Sequence, residues 1–138
     1  MNIPVVYEDD WLLVLNKPAG LLTIPTPKKE SRTLTSILNQ DAVERGLKYS
    51  LHPCHRLDRD TSGLIIYAKG KSIEKKITDA FRDRLVHKKY IAFVHGKLAH
   101  PQGQINYAIE GKSALTKYRL IEEKSNYSFN NNSVYFRN

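Results

Sequence analysis

Cysteine is nearly missing from this chain: Cys54 stands alone among 138 residues, so no disulfide can close within it. A lone thiol fits a reducing compartment, and a cytoplasmic location is the expectation. Long hydrophobic runs are missing too, and none approaches the roughly 20 residues that a membrane-spanning helix needs. The opening Met1-Asn2-Ile3-Pro4 has no basic stretch leading into an apolar one, which leaves no visible secretory leader. Neither a glycine-rich phosphate loop nor a dinucleotide fingerprint occurs. His52, Cys54 and His55 crowd too closely for the usual tetrahedral zinc spacing, and no second cluster accompanies them, so no metal is expected. Cys54 and His55 also make a poor thiol–imidazole pair, because adjacent side chains on an extended segment point to opposite sides. Negative charge is scarce as well: 14 Asp and Glu face 22 Lys and Arg, for a formal charge of +8. An excess of that sign favours polyanionic partners, through the counterions released at each neutralised phosphate.

What is present suits one folded domain over residues 1–138, since 41% of the residues are hydrophobic and 26% charged. Val5-Val6-Tyr7 reads as a short strand, and Trp11-Leu12-Leu13-Val14-Leu15 as a strand covered on both faces. Asn16-Lys17-Pro18-Ala19-Gly20 then punctuates a turn. From Thr33 the positions Leu34, Ile37, Leu38 and Ala42 follow helical spacing, with Gly46 as the stop. Leu64-Ile65-Ile66-Tyr67-Ala68 predicts a strand. Ser72 is placed to cap a second helix whose apolar face carries Ile73, Ile77, Phe81 and Leu85. Lys89 to Gly96 predicts a strand, Gly103 to Gly111 a loop or hairpin, and Ala114-Thr116-Tyr118-Leu120 a half-buried strand. The mixed order of elements predicts an α+β fold with a mixed sheet. Asn130-Asn131-Asn132 are poor strand and helix formers, so the chain is expected to stop in mid-sheet.

The most informative stretch is His55-Arg56-Leu57-Asp58-Arg59-Asp60-Thr61-Ser62-Gly63-Leu64. It sets the Asp58 carboxylate between Arg56 and Arg59, just before a turn and a rigid strand. Neighbouring cations should keep that carboxylate ionised, and an ionised carboxylate serves as a covalent nucleophile or a general base. The competing reading is a solvated charged turn in which Asp60 caps the Thr61-Ser62 bend. Arg56 and Arg59 could contact phosphates, or fill the space left by a displaced base; otherwise they are surface charge. Tyr90, beside Lys88 and Lys89, suits stacking on a base, and equally a cross-strand core position.

These residues resemble the RluA-type pseudouridine synthases, whose hallmark H-R-L-D-x-x-T-S-G-L is matched from His55 to Leu64. Asn16-Lys17-Pro18-Ala19-Gly20 is similar to their N-K-P-x-G motif. Lys88 to Gly96 is similar to their K-x-Y-x-A-x-V-x-G strand, and Ala114-Leu115-Thr116-Lys117-Tyr118 to an A-x-T-x-Y strand. The resemblance runs in the family's order from about Tyr7 to Glu122. It implies a mixed, largely antiparallel sheet with flanking helices. The implied activity is isomerisation of uridine to pseudouridine in ribosomal or transfer RNA, with no metal or organic cofactor. It implies Asp58 as the catalytic aspartate, Tyr90 as the tyrosine that packs on the uracil, and Arg56 as the arginine that fills the gap left by the flipped nucleotide. Arg56, Arg59, Lys17, Thr61 and Lys89 are the expected RNA-contacting residues, and a monomer away from membranes is the expected state.

Two departures qualify the resemblance. Too few residues precede Tyr7 for the small RNA-binding domain that many relatives carry. The family's G-R-T-x-Q-I-R segment, whose arginine pairs with the catalytic aspartate, has no match; Ser125 to Asn138 stands in its place, with Tyr127-Ser128-Phe129 as a possible strand start. The catalytic domain is therefore expected to be C-terminally truncated, with Arg59 or Lys17 as substitute partners for Asp58. The alternative function is an RNA-binding remnant that is catalytically impaired.

Overall fold

Alternation along Leu12–Lys17 organises the first part of the structure, a computed structural model that describes residues 3–126 and 129–137. Leu13, Leu15 and Lys17 are buried on one face of this strand, β2, which pairs antiparallel with β1 (Val5–Glu8). Trp11, expected inside the strand, precedes it and is 61% exposed. Between β1 and β2, Asp9 makes the turn by accepting from the amides of Trp11 and Leu12 at 2.8 and 2.7 Å. The chain divides into two compact units, residues 1–85 and 86–138, each described by itself below.

The first unit adds α1 (Leu34–Glu44), β3 (Leu51–Pro53), β4 (Gly63–Lys69) and α2 (Lys71–Arg82). Its sheet runs β1-β2-β4-β3 with every pair antiparallel. Leu15 lies opposite Ile65 and Leu13 opposite Tyr67, so the apolar alternation of both strands meets on one face. Leu34 and Ala42 of α1, with Leu21, Leu51 and Leu57, complete the buried core. Thr33 starts α1 as a capping box with Ser36, and Gly46 follows its end in the left-handed conformation. The Asn39 side chain donates to the Leu51 carbonyl and accepts from the Leu51 amide, both at 2.9 Å. That pair ties α1 to the otherwise open edge of β3.

Helix α2 corrects two expectations. It begins at Lys71 behind Gly70, whose φ of 109° suits only glycine, and no side chain caps it, so Ser72 lies inside the first turn. It also ends at Arg82, which leaves Leu85 73% exposed rather than on the apolar face.

The second unit is one antiparallel sheet of β5 (Lys89–His95), β6 (Gln102–Asn106), β7 (Leu115–Asn126) and β8 (Phe129–Arg137), in the order β5-β8-β7-β6. Gln102–Asn106 is thus a strand that overlaps the start of the segment expected as a loop or hairpin. Gly103 sits against the Tyr118 ring, where a Cβ would come within 2.8 Å of the hydroxyl. The asparagines are the larger correction. Asn130, Asn131 and Asn132 lie on β8, which has a backbone partner strand on each side, so ladder pairing overrides their low strand propensity. Of the proposed strand start, Tyr127 and Ser128 lie outside the described residues.

Candidate active site

The Asp58 loop joins β3 to β4, and its backbone is fixed residue by residue. Cys54 donates to the Ile66 carbonyl at 2.9 Å, prolonging the β3–β4 ladder. Leu57 is buried, and the Thr23 hydroxyl meets both of its backbone groups, donating to the carbonyl at 2.8 Å and accepting from the amide at 3.2 Å. On the other side of Asp58, the Arg59 carbonyl accepts from the Gly20 amide at 2.8 Å and from the Lys17 ammonium at 3.1 Å. Asp58 itself accepts at its carbonyl from the Thr61 amide at 3.2 Å, closing a tight turn. The result is an exposed carboxylate on a backbone held immediately before and immediately after it.

Thr23 is in turn anchored to α1. Its carbonyl accepts from the Thr35 amide at 3.1 Å and the Thr35 hydroxyl at 2.8 Å, and that hydroxyl lies 2.9 Å from the buried Tyr67 hydroxyl. Burial pushes the Tyr67 phenol up to about 12, so the pair is a neutral hydrogen bond. No sequence pattern marked Thr23; its one signal is a polar residue inside the apolar run that follows Gly20.

Lys17 occupies a different place from the RNA-contacting one expected. It is 0% exposed, and its ammonium donates to the carbonyls of Pro18 at 2.9 Å, Leu21 at 2.7 Å and Arg59 at 3.1 Å. All three ammonium donors are thereby used inside the fold, leaving none for a phosphate. Burial lowers the Lys17 pKa, and the charges of Asp60 and Asp58 act against that shift. The Asp58 charge thus acts on Lys17, while the ammonium donors expected at RNA are taken by backbone carbonyls. The turn after β2 now has a physical reason. Gly20, at φ 82°, presents its amide where a residue with a Cβ would be strained, and Lys17 fills the same corner with charge.

Arg59 also differs. Its guanidinium pairs at 3.6 Å with Glu30, whose carboxylate accepts from the Thr26 amide at 2.9 Å. That amide first, with the Thr26 hydroxyl and the Arg59 charge also contributing, holds the Glu30 carboxyl below the usual range. Arg56 is exposed and Thr61 half-buried on the same loop as Asp58. The Asp60 cap on the Thr61-Ser62 bend is replaced by the Asp58 carbonyl.

The three residues considered for metal or thiol chemistry are used otherwise. His55 accepts at Nε2 from the Ile66 amide at 3.2 Å and stacks at a tilt on Phe81, 4.7 Å between ring centroids. His52 lies 3.7 Å from Glu74. Burial, with the Glu74 charge, pushes the Cys54 thiol up to about 11, so it is protonated at neutral pH. A groove of about 450 Å³ between α1 and β3 is lined by Asn39, Val43, Tyr49 and His52, among others, and by none of the expected site residues.

Tyr90 and Lys89 lie on β5 of the second unit, where Tyr90 is half-buried and Lys89 exposed. The fixed positions of the motif, Tyr90, Ala92 and Val94, share the half-buried face of this strand, and Lys89, Ile91, Phe93 and His95 take the exposed one.

Comparison with known proteins places this geometry. Residues 11–135 match the family described as RNA pseudouridylate synthase. A dual-specificity RNA pseudouridine synthase RluA from Vibrio cholerae is 33% identical over 141 residues, covering 89% of this chain and 55% of that protein. A ribosomal large subunit pseudouridine synthase C from Rickettsia bellii is 35% identical, covering 91% of this chain and 46% of that protein. The chain thus spans about half the length of these curated relatives. Among solved structures, human RNA pseudouridylate synthase domain containing 4 superposes with a TM-score of 0.75 at 23% identity, over 96% of this chain and 57% of that one. Human RNA pseudouridylate synthase domain containing 1 gives 0.76 at 23%, over 99% and 59%. These two establish the fold as the pseudouridine synthase α+β fold. With the motif loop, the matched span and these relatives taken together, the chain belongs to the RNA pseudouridylate synthase family.

Proposed function

We propose that this chain isomerises uridine to pseudouridine in RNA, with Asp58 as the nucleophile. The observation that carries the reading is the fixed loop: Thr23 on Leu57, and Lys17 with Gly20 on Arg59, hold the backbone while the Asp58 carboxylate stays exposed. A nucleophile gains most when its orientation is settled before the substrate arrives.

Uridine and pseudouridine are isomers, so the reaction needs neither an oxidant nor a second substrate. The bond from ribose C1′ to uracil N1 breaks, Asp58 assists by adding to the nucleoside, and the detached ring rotates. A bond from C5 to C1′ then forms as the Asp58 carboxylate is released, C5 loses its proton, and N1 ends with one. Tyr90 is assigned to the uracil face and to the final deprotonation. Arg56 is assigned to the gap left when the nucleotide leaves the stack, an extrusion costing a few kcal/mol. Arg59, Thr61 and Lys89 are assigned to the RNA backbone.

The name of the Rickettsia relative favours large-subunit ribosomal RNA; transfer RNA as a second substrate class and a cytoplasmic location are carried over from the sequence motifs and the lone cysteine. The test is incubation of the full chain with unmodified ribosomal RNA and, separately, transfer RNA, followed by chemical detection of pseudouridine. New pseudouridine in either RNA supports the reading. Salt-sensitive binding without any pseudouridine would assign the chain to the RNA-binding alternative.

A further inference from the structure

The geometry points to a second RNA-contacting surface: the exposed face of the second sheet, opposite the Tyr90 face, which holds a single-stranded segment by stacking and phosphate contacts. This rests on the RNA reading above and adds a site that the reaction itself does not require.

Apolar side chains on that face lack cover. Phe93 is 79% exposed and Ile91 69% exposed, although both lie within a regular strand. The register shows what surrounds them. Lys89 and Lys117 lie opposite the same backbone position, Arg137, one from each side, and Ile91 and Arg119 likewise flank Tyr135. Lys117 and Arg119 therefore share the face with Phe93, two strands away; by strand spacing and rise, Arg119 lies roughly 12 Å and Lys117 roughly 17 Å from it. Both are exposed. On the next strand, Gln104 lies opposite Lys117, so an amide borders the cations. Glu122, which flanks Ser133 with Phe93, is an acidic residue among them and marks the less favourable end for a phosphate.

A face meant for the protein's own core would carry apolar residues across all its strands. Here β6 contributes only Gln102, Gln104 and Asn106, while Ile91 and Phe93 on β5 and the exposed Leu115 on β7 are bordered by cations and amides. That is the composition of a stacking platform: base on ring, with basic groups along the backbone. The net charge of +8 supplies long-range attraction of the same sign.

The test is fluorescence anisotropy of the full chain with a labelled single-stranded oligouridine, over a range of salt. Phe93→Ser should weaken binding about tenfold, the scale of one lost stack. Lys117→Gln should lower the salt slope by about one phosphate contact. Thermal unfolding monitors folding, and Lys117→Gln gives an exposed site if Phe93→Ser proves unstable. Binding unchanged in the folded variants overturns the proposal. So does a loss of binding that accompanies loss of self-association in sedimentation, which would make the face a contact between copies. Hydrogen release from uracil C5, followed in parallel, separates the two readings. Weakened binding in the variants without turnover by the wild type would keep the platform and remove the isomerase. Turnover by the wild type with unchanged binding in the variants would do the reverse.

Discussion

Thr23 grips Leu57 at both its amide and its carbonyl, with hydrogen bonds of 3.2 and 2.8 Å from a single hydroxyl. A side chain that takes both ladder bonds of a buried residue acts as a one-residue strand. Here it fixes the peptide that leads directly into Asp58.

Thr23→Val keeps the shape and removes both bonds. The Leu57 amide and carbonyl then lie buried without these partners, at a cost of about 1–3 kcal/mol. The expected outcome is a Tm lower by several degrees, with turnover reduced further than the fraction unfolded explains. Wild-type kinetics in a folded variant would show that the loop does not depend on this contact.

Lys17→Met should be worse than its burial suggests. The methionine fills the volume but leaves the carbonyls of Pro18, Leu21 and Arg59 without their shared donor. Hydrogen bonds to a charged group are worth about 1.5–3 kcal/mol, so unfolding in urea should shift by that order. Lys17→Arg should not rescue, because a planar fork does not match three carbonyls converging on one nitrogen. Full stability of either variant would contradict the clamp.

Cys54 gives a pH-dependent test. Its thiol is raised to about 11 in the folded chain against 9.0 as reference, chiefly by burial. A raised folded value favours the protonated thiol, so its contribution to stability is present below pH 9.0 and is lost as pH rises toward about 11. At mildly alkaline pH a disulfide reagent should react slowly with the native chain and rapidly once denaturant is added. Fast labelling of the native chain would contradict this account of Cys54.

Much of this architecture was legible in residue order, and the limits have physical causes. The strand around Ile65 and Tyr67, the helix behind Thr33 and the loop at Asp58 all declare themselves through alternation, caps and turn residues. Asn130 to Asn132 misled because propensity describes a residue alone, while β8 draws its stability from a partner on each side. Ser72 misled because a nearby Gly70 already provides the bend that starts α2. Lys17 was found by its motif and given the wrong contact, since nothing in a sequence tells a lysine facing RNA from one facing three carbonyls. Thr23 was missed for a related reason: its partner lies 34 residues away, and neither residue carries a periodic signal. The division after Leu85 follows the charged run Arg82-Asp83-Arg84, which resembles any solvated helix end and so does not by itself mark a boundary.

The central claim concerns the Asp58 carboxylate, and hydrogen release from uracil C5 in labelled RNA tests it most directly. The wild-type chain should release the label, and Asp58→Asn, nearly identical in size, should lower the rate roughly a thousandfold or more while RNA binding persists. Equal release by wild type and Asp58→Asn would contradict the account.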